Sequence, residues 1–237
     1  MKRFFFTILA ACALLSTSAI DIDHSNNSKL AAGVKLGMST RPTLDVELEI
    51  SYRPFRYVGA NVAFVLITPF NSKKNLNTEF NEDLNIRYVL DNHTESVYRM
   101  AGKVGLQFTT PAIMISKDEM GLSLRLSPGI IMPIPTNKTL TVDKYEIKPQ
   151  HDIEAEKKYD LVSKDKVSNS GAKFCYWYLR GELVLEYEEN WEFAVGYSYS
   201  TFDLYGGSRS VMIEGKTVVT AEKKPHHNIS LGLTFKF

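Results

Sequence analysis

The chain has 237 residues, a formal net charge of +1, 44% hydrophobic and 23% charged residues, and two cysteines. So even a charge balance gives no footing for nucleic acid, and beyond the N-terminal segment no apolar run approaches the ~20 residues of a transmembrane helix. Cys12 lies in a leader, so Cys175 is left alone and no internal disulfide can staple the mature chain.

The first element is MKRFFFTILAACALLSTSA. A basic start at Lys2 and Arg3, an apolar run, and small residues at Thr17 and Ala19 spell a secretory signal peptide cleaved after Ala19. Leu9-Ala10-Ala11-Cys12 offers a second possibility, a lipoprotein box that would leave Cys12 lipidated. Residues 1–19 are therefore set aside, and 20–237 are expected to form one domain.

Eight segments then alternate with period two, the mark of strands with one apolar and one polar face. LAAGVKLGMS sets Leu30, Ala32, Val34, Leu36 and Met38 against Lys35. TLDVELEISYR sets Leu44, Val46, Leu48, Ile50 and Tyr52 against Asp45, Glu47, Glu49, Ser51 and Arg53. YVGANVAFVLIT and YRMAGKVGLQF follow; in the latter, Tyr98, Met100, Val104, Leu106 and Phe108 oppose Arg99, Lys103 and Gln107. MGLSLRLSPGIIM opposes Leu122, Leu124 and Leu126 to Ser123 and Arg125. KFCYWYLRGELVLEY opposes Trp177, Leu179, Leu183, Leu185 and Tyr187 to Arg180, Glu182 and Glu186, with Cys175 on the apolar side. WEFAVGYSYS opposes Trp191, Phe193, Val195, Tyr197 and Tyr199 to Glu192 and small residues. Its alternation fails at Thr201-Phe202-Asp203, which reads as the edge of the apolar band. HNISLGLTFKF closes the series with Ile229, Leu231, Leu233, Phe235 and Phe237 on one face.

Most of these segments have the length a tilted strand needs to cross a bilayer, roughly 9–11 residues, which exceeds the ~5–6 usual in soluble sheets. Aromatics gather near strand ends, at Tyr52, Tyr57, Tyr98, Tyr187, Trp191 and Phe237, the place rings take at membrane interfaces. The connections sort by length: 69–97, 133–172 and 205–225 are long and fall at one end, where the fourth link, at Arg41-Pro42, is short. The other end has only shorter turns. The predicted fold is all-β, an eight-stranded antiparallel up-and-down transmembrane β-barrel. Its interior is narrow, so the inward charges, Glu47, Glu49, Arg99, Lys103, Arg125, Arg180, Glu182, Glu186 and Glu192 together with Lys35, Arg53 and Asp45, are expected to neutralise one another and plug the lumen. Inward glycines, among them Gly105 and Gly196, leave a narrow pore open as an alternative.

The chain resembles the small eight-stranded outer-membrane β-barrels of Gram-negative bacteria, the OmpA/OmpX type, over the leader and essentially the whole mature sequence. The resemblance implies location in the cell outer membrane. It also implies that Ile229, Leu231, Leu233, Phe235 and Phe237 form a signal read by the barrel-assembly machinery. Outer-membrane lipids and lipopolysaccharide are the expected surroundings, with a further surface partner reached through loops 133–172 and 205–225. No periplasmic domain is expected after the barrel.

Chemistry-bearing motifs are sparse. His226 and His227 point to opposite faces and are badly placed to hold one metal together. A lipid-modifying barrel enzyme of this family places a His and a Ser two residues apart, but Asn228 stands where that Ser would be and Ser230 lies farther along the strand. The protein is therefore expected to be no enzyme, with no cofactor and no metal. Asp152 to Tyr159, in the most charged loop, has helical spacing at Glu154 and Lys158. Val211-Met212-Ile213 and Lys216-Thr217-Val218-Val219-Thr220 bracket Glu214-Gly215 as a hairpin. The alternatives are a soluble exported lipocalin-like barrel, which would turn every apolar face inward to bind an apolar ligand, and an outer-membrane lipid-modifying enzyme.

Overall fold

The structure, a computed structural model, describes residues 29–70, 76–83, 86–91, 97–116, 120–136, 139–147, 159–168, 173–188 and 190–237. The leader, Cys12, and all but the last residue of the segment Asp152 to Tyr159 lie outside these residues.

Eight strands make the wall: β1 (Leu30–Ser39), β2 (Thr43–Phe55), β3 (Val58–Pro69), β6 (Met100–Thr109), β8 (Met120–Ile134), β11 (Tyr176–Tyr187), β12 (Trp191–Ser200) and β15 (His226–Lys236). Each pairs antiparallel with its neighbours in the order β11-β12-β15-β1-β2-β3-β6-β8, and β8 pairs back onto β11, which closes the ring. Closure leaves the wall without an edge strand, as a sheet inside a lipid bilayer requires. The alternation seen in the sequence now has a direction. Leu36 is 54% exposed and its neighbour Lys35 2%; Ile50 is 59% exposed and Glu49 5%. The apolar side chains face out and the charged ones face in.

One turn interrupts the simple picture at the short-turn end. β6 does not stop at its loop. After Pro111 it resumes as β7 (Ile113–Ser116), which pairs with the start of β8 through Ile113↔Leu122 and Met114↔Gly121. The link that the sequence suggests over Thr110 to Asp118 is thus partly strand, and proline, which lacks the N–H to continue the ladder, marks the break.

The long connections are not bare loops. β4 (Glu79–Asp83), β5 (Ile86–Leu90), β9 (Thr139–Ile147) and β10 (Tyr159–Ser168) form a second antiparallel sheet in the order β10-β9-β5-β4. The connection after β12 carries the hairpin β13 (Met212–Ile213) and β14 (Lys216–Thr217), turned through Glu214 and Gly215, both at positive φ. Phe80, Leu90, Leu140 and Val142 of the sheet pack with Val211, Ile213 and Val218 of the hairpin in one buried cluster. Tyr159 begins a strand rather than ending a helix.

At the break in alternation at Thr201-Phe202-Asp203, β12 ends and the chain turns inward. Phe202, Leu204 and Tyr205 are buried against Val65, Ile67, Ala101, Ile131, Tyr176 and Tyr178, the inward residues of the upper wall. Tyr98, placed by parity on the lipid face, is fully buried in this cluster instead, because it precedes the first residue of β6 and no longer obeys the strand's alternation. Its N–H donates to the Leu204 carbonyl at 2.9 Å and its hydroxyl to that of Thr136 at 2.5 Å. Leu76 packs against both clusters and bridges to Val219, which joins the outer sheet to this cap.

Candidate functional site

The barrel interior is the most concentrated chemistry in the molecule. Its lower half holds the cations Lys35, Arg53, Lys103, Arg125, Arg180 and Lys236, which pair with Glu47, Glu49, Glu182, Glu186 and Glu192. Period-two geometry puts one such group inward at every second residue, and neighbouring strands bring them level.

Glu49 is the centre of the layer. It accepts from Asn61 at 2.8 Å, Lys35 at 3.1 Å, Gln107 at 3.2 Å and Arg180 at 3.5 Å. Lys35 also reaches Glu182 at 2.7 Å, and Arg180 reaches Glu47 at 2.6 Å, while Lys103 meets the other oxygen of Glu47 at 2.6 Å. Closer to the short turns, Glu192 takes both terminal nitrogens of Arg53, at 2.7 and 2.9 Å, and a contact from Arg125. Lys236 lies between Glu186 at 3.2 Å and Glu192 at 3.7 Å. A buried charge without a partner is costly, and such a layer holds only because each carboxylate meets several donors.

Of the inward charges that the sequence brings forward, Arg99 does not join. It precedes β6, outside the register that would aim it inward, and its side chain is exposed. Asp45 sits higher, where it accepts from Thr43 at 2.9 Å and Asn228 at 2.6 Å and faces His226 at 3.5 Å. Lys236, Asn61 and Gln107 belong to the layer although the sequence reading gave them no part in it. Their signal was parity alone: Lys236 falls between two outward phenylalanines.

The space beside several inward glycines is taken by neighbouring groups. Gly105 and Gly129 face each other across β6 and β8, and a Cβ on Gly105 would lie 2.5 Å from the Tyr178 hydroxyl, one on Gly129 2.6 Å from that ring. The paired glycines therefore make the recess that Tyr178 fills. At Gly196 the space is taken by Glu182 and Ser230.

Above the layer, the cap is fastened by Asp203. Arg209 donates to its two oxygens at 2.5 and 2.8 Å, and Arg41 stands 3.8 Å away. The hydrogen bond to Asp203 raises the Arg209 guanidinium above its ordinary pKa, and burial lowers that of Arg41. His226 is buried with its ring edge-on to Phe202, while His227 points outward and shares a hydrogen bond of 2.6 Å with the Tyr197 hydroxyl. Ser200 lies opposite His226 across β12 and β15, but the hydrogen bond its hydroxyl makes is one accepted from the Phe202 N–H at 3.4 Å. Among the described residues no cluster of three or more metal-ligating side chains occurs.

Outside, two aromatic rows frame the apolar wall. Near the long-loop end Trp177 and Tyr199 lie tilted at 5.2 Å and Tyr199 meets His227 edge to face at 5.2 Å; near the short-turn end Trp191 meets Phe235 and Phe235 meets Phe237 edge to face at 4.9 and 5.2 Å. From Trp191 to Tyr199 a strand rises roughly 26 Å, or about 20 Å along the axis at the usual barrel tilt. That is close to the height of the lipid-facing band of such proteins, about 25 Å.

Eight closed antiparallel strands, an apolar exterior bounded by aromatic rows, and an ion-paired interior define the fold as a β-barrel of transmembrane type. No protein-family model matches the chain, and a search of curated proteins gives no match. Solved structures similar to it include a de novo designed transmembrane β-barrel, at 11% identity and TM-score 0.40 over 89% of this chain and 96% of that one. The N-terminal β-barrel domain of Pseudomonas aeruginosa OprF overlaps at 10% identity and TM-score 0.38 over 88% and 96%. Neisserial surface protein A does so at 8% and 0.36 over 88% and 94%. At such scores the class rests on the barrel's own geometry.

Proposed function

We propose that this chain is an integral outer-membrane barrel of structural or surface-interaction type, with its long-loop end outside the cell and a lumen closed to steady ion flow. The observation that carries the reading is the polarity of the wall: large apolar side chains out, ion pairs in. A soluble lipocalin-like barrel needs the reverse, since an exposed apolar belt of this extent is not tolerated in water. Closure of the lumen is supported by the ion-paired layer, by Tyr178 in its glycine recess, and by the cap of Phe202, Leu204 and Tyr205 above.

The role is one of contact rather than catalysis. The sheet of β4, β5, β9 and β10 with the β13–β14 hairpin extends the barrel beyond the membrane and offers a partner the segments 133–172 and 205–225. Leu161 and Val162 on β10 are about half exposed there, at 47% and 54%. Lipids and lipopolysaccharide cover the wall, and the barrel-assembly machinery reads the β15 face that runs from Ile229 to Phe237.

The test is membrane fractionation followed by gel electrophoresis of boiled and unboiled samples. The expected result is a detergent-requiring outer-membrane protein whose mobility shifts on heating. Recovery in the soluble periplasmic fraction with no shift would replace this reading with the soluble barrel.

A further inference from the structure

Lys173, Lys223 and Lys224 come together at the outer rim of the wall. With Ile130, Trp177 and Thr201 they line one notch of about 460 Å³. Its floor is apolar: Ile130 and Trp177 are cross-strand partners of β8 and β11, 41% and 50% exposed, and Trp177 belongs to the upper aromatic row. Its upper side is basic. The segment that carries two of the lysines is held in place by Arg41, which donates to the carbonyls of Glu222 at 2.7 Å and Lys224 at 3.2 Å. Thr201 is tied to Trp177 by N–H to carbonyl at 3.1 Å.

The three ammonium groups are poorly compensated. Lys224 meets Glu222 at 3.1 Å, but both side chains are largely exposed, and such a pair contributes little. Among the described residues no carboxylate lies within ion-pair distance of Lys173 or Lys223. Charge, height and floor agree. The lysines stand above the aromatic row, where lipid headgroups begin, and the surface below them suits an acyl chain.

We propose that this notch binds the phosphorylated headgroup of an outer-leaflet glycolipid, the phosphate among Lys173, Lys223 and Lys224 and an acyl chain along Ile130 and Trp177. The inference rests on the outer-membrane reading with the long-loop end outward. Lysines are point charges that suit a phosphate without fixing its orientation, and clustered basic residues at a membrane surface are a recognised means of holding anionic lipid.

The experiment uses the mature chain folded in neutral detergent, titrated with bisphosphorylated lipid A and followed by native mass spectrometry. Dephosphorylated lipid A and inorganic phosphate serve as the comparison ligands. Bisphosphorylated lipid A is expected to be retained one per barrel and to bind at least roughly tenfold more weakly to the K173A/K223A/K224A variant, a cautious figure for three basic groups at an anionic surface. The corresponding all-arginine variant should keep the binding. Equal affinity for the dephosphorylated lipid, or an unchanged alanine variant, would overturn the proposal. Displacement of the lipid by an equal concentration of inorganic phosphate would also overturn it, since the site would then take a free anion. Heat-shifted mobility of the same samples separates a failed lipid site, where the shift persists, from a failed membrane barrel, where it is lost.

Discussion

Arg53 and Glu192 meet in a two-pronged contact, Nη1 to Oε1 at 2.7 Å and Nη2 to Oε2 at 2.9 Å, which ties β2 to β12 across the interior. Glu192 is fully buried and is also approached by Arg125 and Lys236. Its replacement takes from Arg53 its two-pronged partner and leaves Lys236 with Glu186 alone at 3.2 Å and Arg125 with Glu182 at 3.8 Å. Glu192→Ala should cost roughly 3–5 kcal/mol, the usual effect of removing one partner from a buried ionic group. Reversible urea titration of the barrel in lipid vesicles reads this directly. A midpoint equal to wild type would mean that the interior is hydrated enough to carry the charge.

Gly129 and Tyr178 make a second, independent test of the interior. A Cβ at Gly129 would press on the Val104 carbonyl oxygen and meet the Tyr178 ring at 2.6 Å, so both the wall and the ring must move. Gly129→Ala is expected to lower stability by about 1–3 kcal/mol, as overpacking does. Tyr178→Phe, which spares the ring, should add its own cost to that of Gly129→Ala, whereas Tyr178→Ala, itself costing about 3–5 kcal/mol as a buried aromatic truncation, should combine with Gly129→Ala to less than the sum of the two. The same urea titration applied to the single and double variants checks the pattern.

How much of this was legible follows from what surrounds each residue. Where a strand has lipid on one side and a polar lumen on the other, two opposed surroundings impose period two, and the eight wall strands could be read from it. Phe202, Leu204 and Tyr205 have protein on every side, so no alternation marks them, and the break at Thr201 reads equally as a strand end. Tyr98 was misplaced for the same reason, because parity holds only while the ladder lasts. The outer sheet did leave a trace: Leu140 and Val142 alternate with Thr139, Thr141 and Asp143, and both are buried. The density of charge around that stretch hid it. Arg99 shows the converse, an inward parity with no strand to enforce it.

The proposed closure of the lumen has a consequence for current. With the ion-paired layer below and the cap above, the barrel reconstituted into planar bilayers should show no steady large conductance. Removing charges at Glu47 and Arg180 together eliminates the 2.6 Å pair and also takes from Lys103 the Glu47 oxygen it meets at 2.6 Å. That double variant, E47A/R180A, should raise the frequency of brief openings and leave the cap in place. A large, continuous wild-type conductance would sink the closed-lumen reading.

Phe237 separates assembly from stability. Its ring is 64% exposed and packs edge-on against Phe235 at 5.2 Å, while its backbone N–H donates to the Leu30 carbonyl at 2.9 Å. Phe237→Ala keeps the backbone bond and loses only a partly exposed ring contact, so the purified, refolded barrel should lose no more than about 1–1.5 kcal/mol. If the β15 face is read by the assembly machinery, the heat-shifted form in cells should fall severalfold. Unchanged assembly in cells would deny the residue that role.

The cap offers a test that leaves the wall untouched. Asp203 accepts two hydrogen bonds from Arg209, which also donates to the Ala221 carbonyl, so one carboxylate and one guanidinium fasten the segment from Phe202 to Ala221. Asp203→Ala removes the carboxylate and leaves Arg209 with its carbonyl contact alone. The expected effect is local: faster proteolysis and faster amide exchange between residues 203 and 221, because opening free energies differ from region to region of one fold. The wall strands, whose hydrogen bonds run from neighbour to neighbour around the ring, should keep their protection and their urea midpoint. Hydrogen exchange followed by peptide mass spectrometry distinguishes the two regions in a single experiment. Loss of protection in β12 and β15 as well would show that cap and wall unfold as one unit, and that the inward turn at Phe202 contributes to the stability of the barrel itself.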